Sequence, residues 1–144
     1  MSDELYQDAI MTHARKPLHA GKLADADARA TVDNPLCGDR VTIELKRHDH
    51  TVDAVGHVVR GCALCQASAS MLSEAAIGGS TDAVLAARDA VRAMLRDGAS
   101  PPDGRWAAFA AFVPARSAPS RHECVLLPFA ACERAMTAVH LKSL

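Results

Sequence analysis

The fold class that the sequence predicts is a mixture of helix and sheet, a small antiparallel β-sheet of about three strands packed against several α-helices. Three observations predict it. Val41-Thr42-Ile43-Glu44-Leu45-Lys46 alternates apolar with polar side chains, and Thr51 to Val59 does so more loosely after the polar turn His48-Asp49-His50, which is the pattern of a β-hairpin. The stretches on either side of it repeat their apolar residues every three or four positions, as helices do. The chain has 144 residues, 49% hydrophobic and 23% charged, enough for one domain with a real core and tight for two, so residues 1–144 are read as a single domain.

Taken in order, Ser2 or Asp3 can cap a first helix that carries Leu5, Tyr6, Ala9, Ile10 and Ala14 at helical spacing and ends before Pro17. That apolar face is expected to lie on the sheet. Pro17 to Gly21 reads as a turn, Ala24 to Ala30 carries no firm assignment, and Arg29 to Val32 reads as a brief edge strand. The hairpin follows, with His48, His50 and His57 expected as solvated rings. From Ala63 small, helix-compatible residues run through Met71, Leu72 and Ile77 to a stop at Gly78-Gly79. Ser80 or Thr81 caps a third helix, with Val84, Leu85, Val91, Met94 and Leu95 on its dry side and Asp82, Arg88, Asp89, Arg92 and Arg96 on its wet face. Gly98 to Ser120 holds Pro101, Pro102, Pro114 and Pro119 and reads as a connection, interrupted by a short aromatic-striped helix from Arg105 to Phe112. The last helix is expected from about Cys124 to Leu141. Pro128 lies near its start, where the first turn has no intrahelical donor to lose.

Composition excludes several kinds of partner. A formal net charge of −1 offers no basic face for nucleic acid, and an aromatic share of 3% offers no stacking platform for single strands. The acidic, polar N-terminus lacks the basic region and apolar run of a secretory signal. The longest uncharged stretches, such as Trp106 to Ala115, fall short of the about 20 residues that span a bilayer. A cytoplasmic location with no membrane association is therefore expected. Five cysteines, an odd number, suggest metal binding or catalysis more than a disulfide framework in a reducing compartment.

The chemistry centres on Asn34-Pro35-Leu36-Cys37-Gly38-Asp39, a turn that sets a thiol and a carboxylate two residues apart just before a strand. A hairpin returns the chain beside its starting point, so Cys37 before the first strand and Cys62 after the second meet at one end of the sheet. Cys62 also begins a helix, whose positive end favours a thiolate. Cys124 follows in Arg121-His122-Glu123-Cys124. Cys37, Asp39, Cys62 and Cys124 thus make a candidate four-coordinate set, and soft sulfur ligands point to zinc or an iron–sulfur cluster. The competing reading is that each cysteine is a small buried apolar residue; Gly38 and Gly61, which permit close backbone approach, favour the metal. Cys62 and Cys65 also spell C-x-x-C, half of a zinc ribbon or a redox pair, but no second half follows. Cys65 and Cys132 are expected in the core. His122 stands two residues before Cys124, as a surface ring or as a neighbour of the site, and Arg121 is either a solvated cation or a group that stabilises a thiolate or persulfide by charge.

These motifs together resemble the U-type iron–sulfur assembly proteins, the NifU, IscU and SufU family. Leu5-Tyr6 with Ile10-Met11, His13, Pro17 and Gly21 is similar to its N-terminal helix, and Asn34-Pro35-x-Cys37-Gly38-Asp39 to its first motif. Gly61-Cys62 followed by Ala67-Ser68-Ala69-Ser70-Met71 resembles the second, and Pro119-x-Arg121-x-x-Cys124 with Leu127 the third. The 62 positions from Cys62 to Cys124, and arginine three residues before the last cysteine, resemble the SufU-like branch; Glu123 stands where IscU-like chains have histidine. Val59, Cys65, Pro114 and Phe129 depart from the SufU-like pattern. The resemblance implies an α+β fold, zinc held by Cys37, Asp39, Cys62 and Cys124, and acceptance of persulfide sulfur from a cysteine desulfurase of the SufS type, ahead of downstream iron–sulfur assembly proteins; Cys37, on a turn between Pro35 and Gly38 where the backbone can present it to a partner, is the expected acceptor. Two roles follow: an enzyme-like zinc-dependent sulfurtransferase, or a scaffold on which a [2Fe-2S] cluster is built. A zinc-stabilised interaction domain is a third, weaker reading.

Overall fold

The first helix, α1 (Asp3–Arg15), leads into an irregular stretch and then three strands, β1 (Ala28–Asp33), β2 (Arg40–His48) and β3 (Thr51–Arg60). Helices α2 (Ala63–Ala76) and α3 (Thr81–Arg96) follow, then a 3₁₀ segment (Gly104–Ser117), a single 3₁₀ turn (Pro119–Arg121) and α4 (His122–Thr137). The computed structural model describes residues 3–36 and 38–137, and side chains from residue 7 onward. The expected cap at Ser2, the side chains of Leu5 and Tyr6 and the last helix beyond Thr137 fall outside the described residues.

Alternation in β2 decides how the sheet is used. Val41, Ile43 and Leu45 are fully buried on the helix-facing side with Val52 and Val55 of β3, whereas Thr42 on the other face pairs its hydroxyl with that of Thr31 at 2.8 Å. The three strands are antiparallel in the order β1-β2-β3, with Val32 opposite Val41 and Val41 opposite Val59. Helix α4 packs on β1 and β2, α2 on β3 and α3 on α4, whereas α1 packs on α2 and the 3₁₀ segment and not, as expected, mainly on the sheet, because those elements stand between it and the strands. This is an α+β fold with the core between one sheet and its helices, and the edge strand expected at Arg29 to Val32 is β1.

Four further expectations need correction. His57 is not solvated: the register sets it opposite Ile43 on the helix-facing side, where it is 2% exposed, and its Nε2–H donates to the Leu18 carbonyl at 2.8 Å. The short helix at Arg105–Phe112 is a longer 3₁₀ segment. Its buried Trp106, Phe109 and Phe112 recur every third residue, the period at which 3₁₀ side chains eclipse along one edge, and the rings pack on one another and on Phe129 at centroid distances of 5.2–6.0 Å. Helix α4 begins at His122 rather than Cys124, so Pro128 stands beyond the first turn, where it has no N–H to close a helical rung to the carbonyl four residues back. Finally, Arg88 is not on the wet face. It reaches across to Glu133 and joins α3 to α4.

Two arginines organise the connections. Arg105 donates to the Ile77 carbonyl at 3.0 Å, capping the C-terminal end of α2, and Arg116 donates to the carbonyls of Met94 and Ala99 at 2.7 and 2.6 Å. Each holds the 3₁₀ segment to a helix end that has carbonyls to spare.

Candidate metal centre

The turn at the head of β2 is closed by its own backbone. Gly38 N–H donates to the Asn34 carbonyl at 2.9 Å and Asn34 N–H to the Asp39 carbonyl at 2.8 Å, while the Asn34 side chain accepts from Leu36 N–H at 3.1 Å. Gly38 takes a left-handed φ of 78°, a conformation that glycine adopts without the steric cost of a Cβ. Cys37, expected as ligand and sulfur acceptor, lies outside the described residues. Beside it, Leu36 is 92% exposed, an apolar knob held in solvent.

From this turn Asp39 points inward, 5% exposed. The hairpin register pairs Arg40 with Arg60, so Gly61 and Cys62 come back alongside Asp39. The approach is close: a Cβ on Gly61 would stand 2.7 Å from Asp39 Cγ and Oδ1. Cys62 is the N-terminal flanking residue of α2, and its Sγ lies 3.5 Å from Asp39 Oδ2, to which the thiol donates. Cys124 comes from the first turn of α4 and is buried. One ligand atom from each of Asp39, Cys62 and Cys124 lies within 4.8 Å of the others. Together with Ser120 and Arg121 they line a cleft of about 300 Å³.

The donor chemistry fits a metal. In a tetrahedral zinc site with Zn–S near 2.3 Å the sulfurs are roughly 3.8 Å apart, so the three side chains need only a small closure to share an ion. Two thiols and one carboxylate leave one position of a tetrahedral set to fill. Zinc bound here would be held by Asp39, Cys62 and Cys124 with Cys37 as the remaining candidate.

The other expected residues divide. Arg121 lines the cleft and is exposed. His122 is not a surface ring: it is 6% exposed and its Nε2 donates to the carbonyls of Ala115 and Arg116 at 3.0 and 3.3 Å, so that nitrogen ties α4 to the 3₁₀ segment. Cys65 and Cys132 are fully buried; burial pushes the Cys132 thiol up to about 12, with the Glu133 charge adding to it, which keeps it protonated and unreactive. Ser120 was not singled out from the sequence. Its position next to Arg121, four residues before Cys124, is the signal by which it could have been found.

Comparison with known proteins agrees with this fold. The chain is 40% identical to the crystal structure of a nitrogen-fixing NifU-like protein (N-terminal) from Brucella abortus, with a TM-score of 0.87 over 93% of each chain. It is 39% identical over 88 residues to iron-sulfur cluster assembly scaffold protein IscU 1 of Archaeoglobus fulgidus, covering 60% of this chain and 58% of that protein. It is also 36% identical over 76 residues to the zinc-dependent sulfurtransferase SufU of Bacillus subtilis, covering 53% of this chain and 51% of that protein. The chain thus aligns with less than two thirds of the length of either of these two relatives. A family model for the NifU-like N-terminal domain matches residues 5–113. Because that match runs from α1 through the whole sheet into the 3₁₀ segment and takes in both Asp39 and Cys62, the chain belongs to the family of NifU-like N-terminal domains.

Proposed function

We propose that this protein is a zinc-dependent sulfurtransferase of iron–sulfur cluster assembly, which accepts persulfide sulfur from a cysteine desulfurase of the SufS type and passes it to downstream assembly proteins in the cytoplasm. The observation that carries the reading is the convergence of Asp39, Cys62 and Cys124, with ligand atoms within 4.8 Å of one another, beside the Cys37 turn. The relative named as a zinc-dependent sulfurtransferase supports zinc as the metal. Zinc here supplies stabilised thiolates without redox chemistry of its own.

The residues take separate parts. Asp39 and Cys62 are held just ahead of β2 and α2, and Cys124 in the first turn of α4, whereas Cys37 stands in the sequence between Pro35 and Gly38 and next to the exposed Leu36. Cys37 is assigned as the sulfur-accepting thiolate, because its place in the sequence between Pro35 and Gly38 suits presentation to a partner. It attacks the outer sulfur of the donor's cysteine persulfide; a sulfur–sulfur bond forms at Cys37, the donor's sulfur–sulfur bond breaks, and the donor cysteine leaves as its thiolate, with no net change of oxidation state. Arg121, at the rim of the cleft, places a cation where the transferred sulfur carries negative charge. His122 acts at a distance, by holding the start of α4.

The test mixes the protein with a cysteine desulfurase and free cysteine and locates the added sulfur by peptide mass spectrometry under non-reducing conditions. Persulfide on Cys37, lost in Cys37→Ser together with acceleration of the desulfurase, is the expected result. Persulfide on Cys62 or Cys124 with Cys37→Ser still active overturns the assignment. A second reading, a scaffold for a [2Fe-2S] cluster, is favoured by the relatives named as scaffold proteins. Metal content and the visible spectrum separate the two: colourless protein with zinc supports transfer, and brown protein with iron supports the scaffold.

A further inference from the structure

Cys62 and Cys124 belong to different helices, so their separation is set by how α2 sits on α4. At that contact Ser68, in the second turn of α2, is fully buried and its Oγ–H donates to the carbonyl of Val125 at 2.6 Å. Val125 is the residue after Cys124. The bond therefore ties the α2 backbone, less than two turns from Cys62, to the backbone beside Cys124. At a site with no exposure, water is not at hand to replace this link between the two helices. The same turn of α4 lies just ahead of Pro128, which removes one rung from the helix, so a brace from outside the helix matters more here than in an uninterrupted one.

We propose that Ser68 is a positioning residue, whose hydroxyl holds Cys62 and Cys124 at the spacing a shared metal requires. This rests on the reading of the cleft as a metal centre. Ser73 provides an internal comparison. It is equally buried on α2, but its Oγ–H donates within the helix to the Ala69 carbonyl at 2.7 Å and braces nothing on α4.

The experiment compares Ser68→Ala with Ser73→Ala in two measurements. The first is zinc affinity by competition with a chromophoric chelator. Ser68→Ala is expected to weaken binding about 10–100-fold, the range typical when a partner that orients a metal ligand is removed, and Ser73→Ala to change it little even if both lower the melting temperature alike. The second needs no metal. In a background where Cys37, Cys65 and Cys132 are serine, a bifunctional bimane that fluoresces on bridging neighbouring thiols should join Cys62 to Cys124 readily, and more slowly once Ser68→Ala is added. Ser68→Thr and Ser68→Val, alike in shape, isolate the hydroxyl: Thr should retain affinity and Val lose it. Equal losses for Ser68→Ala and Ser73→Ala, or for Thr and Val, overturn the positioning role. Failure of the wild type to bind zinc, with bridging still dependent on Ser68, would instead strike only at the metal reading.

Discussion

Gly61 shows how much one hydrogen atom in place of a methyl can decide. A Cβ there would collide with Asp39 at 2.7 Å, and any retreat of the carboxylate would carry it out of its present contact with Cys62. Gly61→Ala is expected to displace Asp39 and weaken zinc binding by at least about tenfold, while β3 still forms; metal competition alongside circular dichroism checks both halves. Asp39→Ala should also loosen the metal without unfolding the chain, since a carboxylate is a harder donor than thiolate and the most readily lost from the set. By contrast Cys132→Ser should leave metal binding intact, because that thiol is a buried, protonated part of the core. Loss of zinc in Cys65→Ser would mean that the ligand set is wrongly assigned.

At the scale of elements, the 3₁₀ segment acts as a wall of the core as well as a connection. Phe109 is fully buried and touches Trp106, Phe112 and Phe129, so it joins the segment to α4. Phe109→Ala should cost about 3–5 kcal/mol, read by chemical denaturation, and Trp106, the single tryptophan, reports the loosening through its fluorescence. Helix α3 carries its own cap. Its Ser80 cap accepts from Ala83 N–H at 3.1 Å, and Ser80→Ala should cost about 1 kcal/mol and leave the site unaltered.

At the scale of the molecule, the chain's N-terminal part is strapped to the sheet and α2 through neutral histidines. Ser70 Oγ accepts from Leu18 N–H at 2.8 Å and pairs with His13 Nδ1 at 2.7 Å, while His57 donates to the Leu18 carbonyl and its Nδ1 is buried without a partner. Burial lowers the pKa of His57 from 6.5, against the raising effect of its hydrogen bond. Burial also lowers that of His13, opposed by the Glu74 charge. The unfolded chain therefore takes up these protons first as the pH falls below about 6.5, and folding stability declines in that direction until the folded pKa values are passed. The melting temperature should fall between pH 7.5 and 5.5, and His57→Gln should flatten the slope. Metal binding should act on the whole fold too, because its ligands come from three separate stretches: strong chelators are expected to lower the melting temperature of the zinc form.

Much of this was legible in the residues themselves. Alternation at Val41–Leu45 fixes which face of β2 is buried because strand side chains have a period of two, and a hairpin necessarily returns Cys62 to the neighbourhood of Asp39. Gly78-Gly79 and Ser80 mark helix boundaries through local backbone chemistry that needs no distant contact. What local chemistry does not specify is which distant groups meet. His57 reads as a loop-side ring until register sets it opposite Ile43. The stripe at Trp106, Phe109 and Phe112 reads as α-helix until packing on Phe129 selects the tighter 3₁₀ period. Cys124 lies 62 positions beyond Cys62, and nothing in that span states their distance. It is set by α2 lying on α4 with Ser68 bonded to Val125, a contact between surfaces that exist only once the helices have packed.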